Sequence, residues 1–124
     1  TLSDISGWLD DLGSEAEMLN TILITVDPAR DTVEAMADYV SYFHPKIRGW
    51  TGTPAQIAAA AKGFRVTYEN IPLEGGDYTL NHTAGIFLFR ADGSFVSTID
   101  YHESREFALP KIRRAMSYLS VGVT

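Results

Sequence analysis

Apolar residues recur at helical spacing from the first positions: Leu2, Ile5, Trp8, Leu9 and Leu12 share one face, and Gly13 follows as a candidate C-cap. The pattern predicts an amphipathic helix over 2–12. Thr21 to Val26 is a short β-branched run, apolar enough to be buried on both faces as in a parallel sheet. Asp31 with Glu34 three residues on reads as a capping-box start, with Val33, Met36, Ala37, Val40 and Phe43 as the buried stripe and Pro45 as the stop. A short extended piece, Ile47 to Trp50, leads to Thr53 as cap, Pro54 at the first helical position and Gln56 at the third. The Ala-rich helix that follows is expected to reach about Lys62, with Gly63 ending it before an extended stretch over 64–68.

Ile71 to Tyr78, with Pro72, Gly75 and Gly76, predicts an exposed turn or hairpin tip. Ala84 to Phe89 and Phe95 to Ile99 flank Asp92-Gly93, a β-hairpin signal. Phe107, Ile112, Ala115, Met116 and Leu119 predict a last helix, with Pro110 either kinking it or marking its first turn. The order predicts one α/β sandwich domain over 1–124 with a mixed sheet. A helix at residue 2 feeding a parallel-type strand normally follows a partner strand, so a central strand before Thr1 is expected to be missing from this chain.

The 124 residues are 45% hydrophobic and 21% charged, which excludes wholesale disorder, and no apolar run approaches a membrane span. A net charge of −6 argues against a nucleic-acid surface. The first 40 residues hold nine acidic groups and one basic, a solvated helix face or a docking surface for a basic partner.

With no cysteine, the chain by itself has no disulfide, thiolate nucleophile or sulfur-anion metal ligand. Of the three histidines, His44 sits at a helix end, where a cation suits the dipole, and His102 sits in a loop. His82 precedes an apolar strand, a place where an imidazole is held either as a structural partner or as a ligand. Asp27 to Thr32 directly follows a strand, the end at which open α/β sheets place ligands; it also reads as a helix-capping turn with Arg30 pairing an acid. Neither a Ser-His-Asp arrangement nor a Gly-rich phosphate loop is evident, so hydrolase and nucleotide readings are weak.

Three separated motifs resemble the Sco/SenC copper proteins, thioredoxin-like domains associated with cytochrome c oxidase assembly. Ile24 to Thr32 is similar to the family's strand-to-helix signature, and Thr51 to Ile57 to its third-helix start. Asp77 to Thr83, followed by Phe87-Leu88 and Asp92-Gly93, is similar to its metal-histidine segment. Together the motifs cover nearly everything from Leu2 to about Met116 in the family order.

The resemblance implies a thioredoxin-like fold and a copper site of two thiolates from a Cys-x-x-x-Cys motif plus one histidine, which His82 matches by position. Thr1-Leu2 is similar to the residues just after the second cysteine, so the thiolates are expected upstream of this chain. A metallochaperone rather than an enzyme is implied, carrying copper as Cu(I) or Cu(II), with a copper donor protein and the oxidase copper-site subunit as partners. The same cysteines could instead exchange disulfides with the oxidase copper site; a cysteine-free interaction module is a third possibility. The family implies an N-terminal membrane tether and the bacterial periplasm, or alternatively the mitochondrial intermembrane space. This chain alone is expected to bind copper poorly and to close its incomplete sheet by rearrangement or by pairing with another copy.

Overall fold

A computed structural model describes residues 2–82, 85–100 and 103–121, the side chains of 81, 82 and 117–121 excepted. Among the described residues four α-helices and six strands follow in the order α1 (Leu2–Leu12), β1 (Thr21–Ile24), α2 (Val33–Ser41), β2 (Ile47–Trp50), α3 (Pro54–Phe64), β3 (Tyr68–Pro72), β4 (Tyr78–His82), β5 (Ile86–Phe89), β6 (Phe95–Ile99) and α4 (Arg105–Val121). The strands form three ladders of two: β1 with β2 parallel, β3 with β4 antiparallel and β5 with β6 antiparallel. The chain divides into two compact units, Thr1–Asn20 with Ala84–Thr124, and Thr21–Thr83.

In the first unit, α1 buries Leu2, Trp8, Leu9 and Leu12 of the stripe expected from spacing while Ile5 is only half-buried, and Gly13 takes φ +56° as the helix gives way to a 3-10 turn. The β5–β6 hairpin turns through Gly93 at φ +88°, where the Arg90 N–H donates to the Ser94 carbonyl (2.9 Å). Ile99 of β6 is fully enclosed, and α4 adds Ala108, Ile112, Ala115 and Met116 to the buried set. Lys111 ties α4 to β6 by donating to the Thr98 carbonyl (3.0 Å) and to Glu103 Oε1 (2.8 Å). That bond holds the Glu103 carboxyl below its ordinary range, against partial loss of water. Pro110 lies inside α4, not in its first turn; it removes the N–H that would bond the Glu106 carbonyl.

The second unit departs further from expectation. β1 stops at Ile24 and its residues are mostly half-buried, with Ile22 exposed, because the described ladder has only β2 as its partner. Gly49 lets α2 approach β2 closely: a Cβ there would meet Met36 Cε at 3.1 Å and Val40 Cγ1 at 3.2 Å. α3 starts as expected, with Thr53 Oγ1 accepting from the Gln56 N–H (3.2 Å) and Gln56 Oε1 from the Thr53 N–H (2.9 Å). Gly63 does not end it. The helix runs to Phe64, and Arg65 takes the left-handed cap at φ 58° while the Val66 N–H bonds the Ala61 carbonyl (2.8 Å). The extended stretch expected over 64–68 is displaced accordingly and becomes β3, paired along its whole length with β4.

Candidate functional site

The loop after β1 is organised by its own polar side chains. The buried Thr25 hydroxyl donates to Asp31 Oδ2 (2.5 Å) and accepts from the Asp27 N–H (2.9 Å), while the Asp31 N–H donates to the Asp27 carbonyl (2.9 Å). Asp31 is therefore engaged inside the loop and does not cap α2 as expected. Thr32 caps it instead, accepting from the Ala35 N–H (3.2 Å).

Asp27 and Arg30 reach out of this loop to the start of β4. The Tyr78 hydroxyl donates to both Asp27 oxygens, at 2.9 and 3.1 Å. Arg30 lies over the Tyr78 ring, 3.7 Å from its centroid, and Nη2 donates to Asp77 Oδ1 (2.6 Å) and to the Tyr78 carbonyl (2.5 Å). The Asp27 side chain is 14% exposed and that of Arg30 46%, so the carboxylate is sheltered and the guanidinium is not. Taken singly, an exposed ion pair contributes about 0–1 kcal/mol and an exposed cation–π contact about 0.5–1 kcal/mol. Together they join two motifs that stand 47 residues apart in sequence.

The bond to Asp27 comes first among the causes that raise the Tyr78 phenol above its ordinary value of 10.0; loss of water and the charges of Asp27 and Asp77 add to it, and Arg30 opposes. The folded-state value is the raised one, so the hydroxyl remains a donor below pH 10 and is lost only as pH climbs through that higher value. Following the Tyr78 ring by NMR should show a midpoint above that of an ordinary phenol, and Asp27→Asn should bring it down. A midpoint indifferent to that change would remove Asp27 as the controlling acceptor.

Beside this latch lies a groove of about 380 Å³, lined by Val26, Pro28, Ile57, Tyr68, Tyr78 and Leu80 together with the Asp27 carboxylate. Its lining comes both from the loop after β1 with the start of α3 and from the β3–β4 hairpin. His82 is the last residue of β4, in register with Tyr68. Its side chain, and all of His102, lie outside the described residues. His44 stands just beyond the end of α2, and its Nδ1 accepts the Lys46 N–H (3.1 Å), a turn-closing bond.

The structure thus brings the Asp27–Asp31 segment against the Asp77-Tyr78 end of the histidine motif. Sequence reasoning gave Arg30 an acidic partner without naming it and missed Tyr78. The available signal was an aromatic residue beside an acid at the start of a strand. No group of three or more His, Cys, Asp or Glu suited to a metal ion is found among the described residues, and the chain has no cysteine. The described residues therefore do not by themselves gather a complete copper site. Among the described residues no helix is long and apolar enough to cross a membrane.

Residues 1–117 match the SCO1/SenC family. The fold closely matches the copper-bound structure of ScoI from Bradyrhizobium japonicum, with a TM-score of 0.83 and 40% identity over 92% of this chain and 73% of that one. It matches the copper-bound ScoI of Arabidopsis thaliana with a TM-score of 0.84 and 27% identity, over 94% of this chain and 73% of that one. The mitochondrial SCO2 homolog of Homo sapiens is 42% identical over 97 residues, 77% of this chain and 36% of the relative. The architecture is therefore the mixed α/β, thioredoxin-like fold of Sco proteins. The chain belongs to the SCO1/SenC family, and it spans about a third of the length of such curated relatives.

Proposed function

We propose that this chain is part of a single copper-delivery domain that serves the copper site of cytochrome c oxidase, with His82 supplying an imidazole and two thiolates supplied from outside these 124 residues. The observation that carries this reading is the family match over residues 1–117 together with likeness to two Sco structures that hold copper. The chemistry supports it. Soft thiolates suit Cu(I) and an imidazole helps retain Cu(II), so a mixed site keeps its cargo through a redox change and then passes it on. The partners are a copper donor protein and the oxidase copper-site subunit. The compartment is the bacterial periplasm, reached through a membrane tether, or the mitochondrial intermembrane space; the mitochondrial names of relatives favour the second.

Copper titration of the intact protein with and without His82→Ala tests the reading. The substitution should weaken copper binding, Cu(II) more than Cu(I), because the imidazole is the harder donor of the set. Unchanged stoichiometry and affinity for both ions would remove His82 from the site.

A further inference from the structure

We propose that Arg30, acting with Asp27, is a positioning residue for His82, by latching the β3–β4 hairpin to the loop after β1. This inference rests on the reading of His82 as a copper ligand. The groove of about 380 Å³ is lined both from the hairpin and from the β1 and α3 side of the unit, so packing is open along that part of the hairpin. Polar contacts at the start of β4 bridge the opening: the guanidinium on Asp77, on the Tyr78 carbonyl and over the Tyr78 ring, and the Tyr78 hydroxyl on Asp27.

These contacts engage backbone, ring and carboxylate of two adjacent residues, which restrains the strand in direction as well as position. His82 ends the same strand four residues along, about 13 Å away at roughly 3.3 Å per residue. Over that lever a tilt of about 10° moves the strand end by roughly 2 Å, more than the ~0.5 Å within which a ligand set must be held. The loop side of the latch is itself braced by Thr25 and Asp31, so it is a fixed anchor.

The test uses the intact protein in its metal-free form, so its failure is distinguishable from failure of the copper reading, which the His82→Ala titration decides. Amide hydrogen exchange and the His82 ring resonances are followed in Arg30→Gln, Arg30→Lys and the milder Tyr78→Phe. Arg30→Gln should raise exchange of the β3–β4 amides about tenfold while β1–β2 amides stay within about twofold, and should shift the His82 ring signals. Tyr78→Phe should give a smaller change of the same pattern. Arg30→Lys should recover part of the protection, because an ammonium can still meet Asp77 but cannot reproduce the planar stack and the paired donation. Unchanged β3–β4 exchange in Arg30→Gln, a rise shared equally by β1–β2, or unmoved His82 resonances would each overturn the proposal.

Discussion

The 124-residue chain on its own should bind Cu(I) more weakly than micromolar in competition with a Cu(I) chelator. Tight Cu(I) binding needs soft donors, and thiolates are absent throughout the sequence. The remaining soft atoms are the thioethers of Met18, Met36 and Met116. Met36 and Met116 are core residues, 3% and 8% exposed, while Met18 stands on the surface at 62%. Bringing the buried pair to a metal would require opening both units. Histidine and carboxylate donors are harder, and the described residues gather no three of the metal-binding types. Micromolar binding corresponds to about −8 kcal/mol, which one imidazole with oxygen neighbours does not supply to Cu(I). Submicromolar binding by this chain would show that a soft site forms from residues assigned here to the core.

The second large effect concerns assembly of the chain in isolation. β1 and β2 are four residues each and pair only with one another, and the β3–β4 and β5–β6 ladders also stop at two strands among the described residues. An isolated pair of strands is marginal in water, and a parallel pair more so, since parallel strands are normally buried within larger sheets. The unpaired edges of such ladders are templates for another strand. At tens of micromolar the chain should therefore sediment above monomer mass, or melt with an enthalpy well below the roughly 85 kcal/mol expected from about 0.7 kcal/mol per residue for a cooperative domain of this length. A monomer melting in one transition with that full enthalpy would refute the argument from sheet completeness.

Where local chemistry determines local structure, the sequence was legible. The stripe of α1, the Thr53-Pro54-Gln56 start of α3 and the Asp92-Gly93 hairpin each depend on neighbours within a few residues, and each formed as expected. The stripe expected on α2 is buried only at Met36, with Val33 74% exposed and Ala37 on the surface; other misreadings arose where a competing partner intervened. Asp31 and Thr32 are both good caps; Thr25 took the Asp31 carboxylate and left the helix to Thr32. Gly63 is a plausible stop, yet α3 continued for one more residue and placed a left-handed Arg65 beyond it, bonding Ala61 and Lys62 instead.

The candidate site divides in the same way. From sequence alone came the family and the thioredoxin-like class, because motif order is a property of the chain; the role of His82 is what that resemblance implies. The meeting of Arg30 and Asp27 with Asp77 and Tyr78 came only from tertiary structure. Charge complementarity offered Arg30 many acids, and pairing across 47 residues is fixed by the return of β4 along β3, a register that no local pattern encodes.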